Sequence, residues 1–274
     1  MRQCLIPMSI VLFLGLLVAE ITPCTAAKPI PVTFASGSET LKGYIYRPAG
    51  KGPFPLMIWN HGNYNQVRAG QVDHYNRLQE FFTNHGYVFF TPFRHNSGVS
   101  PGYSHGETDG LDVIAVQELY NKDVEAAVSF GKALPYVDVH RVVMSGVSVG
   151  GIQTILAAEK GLSVSAFVPF APGAMSWDRA DLRKRLAQAV KKARAPIFLL
   201  QAANDFSTGP YQELGQILSS KRGLNQARLY KPYGQSHYDG HHFFAVSGCD
   251  VWGKDVVTFL NKALVSKPAK AADY

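Results

Sequence analysis

Cysteine is nearly absent. The chain has three in 274 residues, and two of them, Cys4 and Cys24, fall in an N-terminal segment that reads as removable. Without that segment only Cys249 remains, so no intramolecular disulfide can form and the fold must rest on its core. No basic residue neighbours Cys249 in sequence, and it reads as packing rather than as a nucleophile. Charge is sparse too: 17% of residues are charged against 46% hydrophobic, the proportions of a globular protein. No apolar run reaches the ~20 residues of a membrane span. No repeat recurs at a period of about 20–50 residues, which excludes solenoids and propellers. The 25 Gly and 16 Pro are scattered singly, so collagen-like and low-complexity readings fail. The histidines show no metal-ligand spacing, and neither a metal nor an organic cofactor is expected.

At the N-terminus, Arg2 supplies a short positive region and Ile10 to Val18 an apolar run broken only by Gly15. Pro23 and the small residues Thr25-Ala26-Ala27 follow. This is the pattern of a secretory signal peptide over residues 1–27, cut after Ala27 or Ala26. An uncleaved anchor is the alternative, but the apolar run is short for one. Pro23 stands before Cys24 where a lipid-modified cysteine would have a small residue. The expectation is an exported protein, periplasmic or secreted, with no stable membrane anchor.

Losing Arg2 and Glu20 with the leader takes 27 basic and 20 acidic residues to 26 and 19, so the excess stays +7. Much of it is local, in Arg179, Arg183, Lys184, Arg185, Lys191, Lys192 and Arg194. Leu182, Leu186, Ala189, Val190 and Ala193 recur there at helical spacing, which predicts an amphipathic helix with a basic outer face. A solvated face is the ordinary reading, and an anionic surface or substrate the sharper one. No aromatics interleave with these charges, so nucleic acid is not an expected partner.

From about Ile30, β-branched and aromatic runs alternate with helical patterns, which predicts a single α/β domain over residues 28–264 and a frayed tail over 265–274. Strands are expected at Leu41–Tyr46, Leu56–Asn60, Tyr87–Phe93, Arg141–Ser145, Ser165–Phe170, Pro196–Gln201 and Ala227–Lys231. Helices are expected at Tyr75–His85, Leu111–Leu134, Val149–Glu159, Asp178–Arg194, Pro210–Ser220 and Gly253–Leu264. No helix separates the first two strands. That suggests an antiparallel N-terminal edge on a mostly parallel sheet with helices on both faces. Functional groups then belong on loops at the C-terminal ends of strands.

The strand Arg141–Ser145 runs directly into Gly146-Val147-Ser148-Val149-Gly150-Gly151, and a helical pattern follows. Gly-x-Ser-x-Gly between strand and helix is the setting of a nucleophile held on a sharp turn, where flanking side chains would collide. Ser148 is therefore the candidate nucleophile; Ser145 lacks the flanking glycines. A tetrahedral oxyanion needs two preorganised N–H donors. Val149, next after the nucleophile, is one, and Asn63, after the strand ending Asn60-His61-Gly62, the other. His61 is expected to hold that loop in shape and, with Tyr64 and with His95 from the loop after Phe93, to line the substrate site.

Asp205 follows the strand Pro196–Gln201 and is the candidate acid; capping the next helix is its rival task. Asp178, Asp239 and Asp250 are weaker, since none follows a parallel core strand. Three histidines can serve as base, in Ser236-His237-Tyr238-Asp239-Gly240-His241-His242. The preceding glycine favours His241, with His242 and His237 left as alternatives.

Ser148, Asp205 and His241 occur in the chain order of the α/β-hydrolase superfamily. With His61-Gly62, Gly146 to Gly151, Gly240-His241 and Trp252-Gly253-Lys254-Asp255-Val256, the chain resembles its dienelactone-hydrolase-like and prolyl-oligopeptidase-like branch from about Ile30 to Leu264. The resemblance implies an α/β-hydrolase fold and a Ser-His-Asp triad, with only the excursion over 173–194 as a small helical lid. Dienelactone hydrolases use a cysteine where this sequence has Ser148, which points to ordinary ester or amide hydrolysis. The expectation is hydrolysis of small or medium carboxylic esters. A short-peptide hydrolase, a non-catalytic binding relative and a surface-binding protein acting through the basic helix are the rivals.

Overall fold

The structure is a computed structural model, and it describes residues 28–63, 76–97, 99–100 and 110–265. The proposed leader, residues 64–75 and the tail beyond Val265 lie outside these. Eight strands form one sheet in the order β1-β2-β4-β3-β5-β6-β7-β8. They are β1 (Ile30–Ser36), β2 (Glu39–Tyr46), β3 (Phe54–Asn60), β4 (Val88–Phe93), β5 (Val137–Val147), β6 (Ala166–Phe170), β7 (Phe198–Ala202) and β8 (Gln226–Tyr230). Only the β1–β2 and β2–β4 pairings are antiparallel. The remaining neighbours run parallel, so the chain leaves β3, β4, β5, β6, β7 and β8 at the same end of the sheet.

The antiparallel edge is a hairpin, and its outer strand β1 was not expected as a separate element. The reason is local. Pro31 interrupts the run, and only Phe34 and Ser36 of β1 are buried. An edge strand tolerates a proline that a central strand would not. β2 lies beside β4 and not beside its sequence neighbour β3.

Period-two alternation divides the core. Leu56 and Ile58 of β3 and Val142 and Met144 of β5 face one layer, formed by α2 (Val113–Lys132), α3 (Val149–Lys160), α4 (Ala180–Lys192) and α5 (Gly215–Ser220). Met57, Trp59 and Val143 face the other, formed by α1 (Asn76–Asn84), α6 (Phe244–Ser247) and α7 (Cys249–Val265). α7 starts one turn earlier than its sequence pattern suggests and runs through Val265.

Segment 173–194 is the crossover from β6 to β7. Its α4 buries Leu182, Leu186, Ala189 and Val190 in the same cluster as Ile155 and Leu156 of α3, so it thickens that layer rather than standing over the strand ends as a lid. The basic face of α4 is largely ion-paired: Arg185 reaches Glu118 (2.6 Å) and Glu159 (2.5 Å), Lys192 reaches Glu159 (3.0 Å) and Arg179 reaches Asp181 (2.7 Å). Among the described residues no helix is long and apolar enough to cross a membrane.

Trp252 of α7 anchors the second layer. Its ring meets Phe170 of β6 at 5.0 Å and Phe81 of α1 at 5.4 Å, and its Nε1 donates to the Phe244 carbonyl at 2.8 Å. Trp252→Ala would leave a cavity among these rings and remove one of the two donors to that carbonyl, leaving it the Gly248 N–H (3.2 Å). We expect a loss of about 3–5 kcal/mol, read as a lower urea midpoint at unchanged slope.

Candidate active site

β5 ends at Val147 and α3 begins at Val149, so Ser148 alone carries the reversal of direction. Its φ of 59° and ψ of −117° lie in a region that L-residues seldom occupy, a strain of about 1–3 kcal/mol that the surroundings must hold in place. They do so through backbone bonds. Ser148 N donates to Phe170 O (3.1 Å), and Ser148 O accepts from Ile152 N (3.0 Å) and Gly173 N (3.4 Å). The glycines on either side permit close approach. A Cβ at Gly146 would lie 2.6 Å from the Asn60 carbonyl oxygen, and one at Gly150 would overlap that oxygen outright.

Gly62, after β3, is also beside the turn: a Cβ there would lie 3.6 Å from Ser148 Cβ. The exposed Asn63 follows it. Val149 is the first residue of α3, and its N–H is among those a helix leaves without an internal partner. Of the two expected oxyanion donors, Val149 directly follows Ser148, and Asn63 follows the Gly62 that lies beside the turn.

Asp205 follows β7 by three residues and His241 lies in the π-turn Asp239–Phe243. The two are joined: His241 Nδ1 is 2.8 Å from Asp205 Oδ1, with both side chains almost wholly buried. Asp205 Oδ1 also accepts from Phe206 N (2.7 Å), and Oδ2 accepts from Gln201 Nε2 (2.8 Å). The opposite ring nitrogen, His241 Nε2, is buried with no hydrogen-bond partner. With Nδ1 donating to the carboxylate, Nε2 carries the lone pair a general base needs. Phe206 lies edge-on against the His241 ring at 5.5 Å. Gly240 is required for a reason beyond crowding at the histidine, because a Cβ there would strike the Asn204 side-chain oxygen. That side chain itself ties down the loop through Tyr233 and Ser236.

The other histidines have different partners. His237 is exposed and bonds the Asn204 carbonyl through Nδ1 (3.0 Å). His242 stacks near Tyr238 and Phe243, and burial pushes its pKa down to about 4. Asp239 caps its own turn, accepting from Gln235 N and Ser236 N. Asp250 forms an exposed ion pair with Arg77, and among the described residues no histidine pairs with Asp178.

Two expected substrate-lining residues are structural instead. Both ring nitrogens of His61 are engaged: Nε2 accepts from Arg94 N (3.2 Å) and Nδ1 bonds Gly62 O (2.7 Å). Its pKa falls well below the ordinary imidazole value, first through burial and then through the Arg94 guanidinium, against the Gly62 bond. His61 therefore holds the loop after β3, and no nitrogen is left for a substrate. His95 is buried against α2, where Asp123 takes its Nδ1 (2.9 Å), its backbone N–H (3.0 Å) and the Ser36 hydroxyl (2.7 Å). Tyr64 lies outside the described residues. Cys249 is buried and its thiol is pushed up to about 12, by burial first and by Asp250 second, as befits packing. Among the described residues no cluster of His, Cys, Asp and Glu could hold a metal ion.

A mostly parallel eight-stranded sheet with helices on both faces, and a serine on the turn after β5, define the α/β-hydrolase fold. A model of the dienelactone hydrolase family matches residues 41–237, and the chain belongs to that family. No curated protein matches it in sequence. Among solved structures, a putative dienelactone hydrolase from Klebsiella pneumoniae is 19% identical, with TM-score 0.63 over 85% of this chain and 98% of that one. A Pyrococcus furiosus esterase is 16% identical, with TM-score 0.64 over 87% of this chain and 92% of that one. A Pyrococcus horikoshii acylaminoacyl peptidase is 15% identical, with TM-score 0.64 over 92% of this chain but 44% of that one. At these identities the likeness is one of fold, and the family makes the chain an α/β hydrolase.

His61 and His242 are held neutral in the folded protein and bind protons more readily once it unfolds. Their folded-state pKa values lie below the unfolded one, so stability is complete above about pH 6.5 and falls as pH drops below it, by about 1.4 kcal/mol per unit for each. We expect the protein to be about 2–3 kcal/mol less stable to urea at pH 5.5 than at pH 7.5. His242→Gln should remove roughly half of that dependence, and a flat profile would contradict this account of both residues.

Proposed function

We propose that the chain is an exported serine hydrolase that cleaves carboxylic esters of small or medium size through an acyl-enzyme. The observation that carries this reading is the buried His241–Asp205 pair, its free Nε2 set in the same group of strand-end loops as the strained Ser148 turn. His241 Nε2 takes the Ser148 hydroxyl proton as Oγ attacks the carbonyl carbon, and the Val149 and Asn63 N–H groups receive the oxyanion. The same proton passes to the departing alcohol as the C–O bond breaks. Water, deprotonated in turn by His241, then releases the acid and returns the proton to Ser148.

An ester is preferred to a peptide because the likeness spans 92% of the Pyrococcus furiosus esterase but 44% of the acylaminoacyl peptidase. The acylaminoacyl peptidase likeness keeps short amides as the second reading. Cleavage of the leader after Ala27 or Ala26 would deliver the enzyme outside the cytoplasm.

Intact-mass measurement of the exported protein after fluorophosphonate treatment tests this directly. We expect a chain beginning at Lys28 or Ala27 with one adduct, and no adduct on Ser148→Ala. Asp205→Asn should keep KM and lower kcat by about ten-thousandfold. A folded wild-type protein that takes no adduct would overturn the serine-hydrolase reading in favour of a binding protein. Turnover of aminoacyl-naphthylamides without turnover of short-chain nitrophenyl esters would favour the peptidase.

A further inference from the structure

Gln201, the fourth residue of β7, has no part in the chemistry above, yet it is fully buried and three hydrogen bonds fix its amide. Nε2 donates to Asp205 Oδ2 (2.8 Å) and to the Ser207 carbonyl (2.7 Å), and Oε1 accepts from Tyr211 N (3.0 Å). The amide cannot be turned over. Reversed, its oxygen would face the Asp205 carboxylate and the Ser207 carbonyl, and its NH2 would face the Tyr211 N–H.

Asp205 depends on this donor. Its carboxylate is buried, and among the described residues no Lys or Arg lies within ion-pair distance of it. Oδ1 is occupied by His241 and Phe206 N, and Oδ2 is held by Gln201. A buried carboxylate stays ionised only if hydrogen bonds replace its lost water. A cation would do so more strongly, but it would also compete for the field that stabilises a protonated His241 ring.

We infer that Gln201 is the positioning residue of this site: a neutral donor that holds Asp205 aimed at His241 Nδ1 without placing a competing cation beside the ring. The inference rests on the serine-hydrolase reading.

The test compares Gln201→Met and Gln201→Glu with the wild type on p-nitrophenyl butyrate, with fluorophosphonate labelling and thermal melting of each. Gln201→Met removes the donor at similar volume and should lower kcat by about tenfold or more, with KM within about twofold. Gln201→Glu preserves shape but donates only while its new carboxyl is protonated. Its kcat should therefore decline with rising pH across the range where the wild type is flat. Two folded, labelled variants with wild-type kcat and pH profile would overturn the inference and leave the serine-hydrolase reading intact. So would a loss that follows melting temperature alone, with no change in the pH profile. If the folded wild type takes no adduct, both fall together.

Discussion

Asn60, the last residue of β3, sets how closely the turn after β5 can approach the sheet. Its carbonyl oxygen lies against both Gly146 and Gly150, and its side-chain Nδ2 reaches Thr154 Oγ1 at 3.4 Å. Thr154 in turn donates to the Gly150 carbonyl at 2.8 Å. One residue therefore clamps the end of β5 and the first turn of α3 against β3. The strained backbone of Ser148 is held because everything beside it is packed without slack. The same clamp fixes the distance from the turn to Gly62 and Asn63, which leave β3 immediately after Asn60. The Ser148 turn and the loop after β3 are thus two ends of one packing contact.

Buried polar groups in this protein are satisfied mainly by neutral partners. Asp205 receives an amide and a backbone N–H; Asp123 receives a hydroxyl, a backbone N–H and a ring nitrogen. His61 is kept uncharged by burial and by Arg94. Both carboxylates face imidazoles, yet their settings differ. Asp123 ties β1, the loop after β4 and α2 together, whereas Asp205 joins the loop after β7 to the π-turn that carries His241.

What could be read from the sequence was chemistry confined to a few neighbouring residues. The turn around Ser148 declares itself through glycines that the backbone requires, and Asp205 and His241 stand at loop positions after parallel strands. β1 escaped because Pro31 breaks a short, half-exposed edge strand. His61 and His95 were placed at the substrate because histidine after a strand suits either task, and only tertiary partners distinguish them. Gln201 was counted as the end of a strand. Its amide meets Asp205 through a bend of the following loop, and nothing in a Gln at that position announces such a contact.

On the proposed reading, an oxygen nucleophile accounts for this care with Asp205. A thiol near neutral pH is already partly ionised and needs little from its base, whereas a serine hydroxyl must be deprotonated as it attacks. The histidine must then present the right tautomer and gain basicity from its carboxylate at the same moment. A solvated carboxylate could swing away or share its charge with water. A buried one with no hydrogen bonds would instead take up a proton and lose its charge. The arrangement around Asp205 answers both needs: it is buried away from water, and donors on both oxygens hold it toward His241. With no disulfide among the described residues to stiffen these loops, their geometry rests on the strand ends, the glycine contacts and the hydrogen bonds of Gln201 and Asn204.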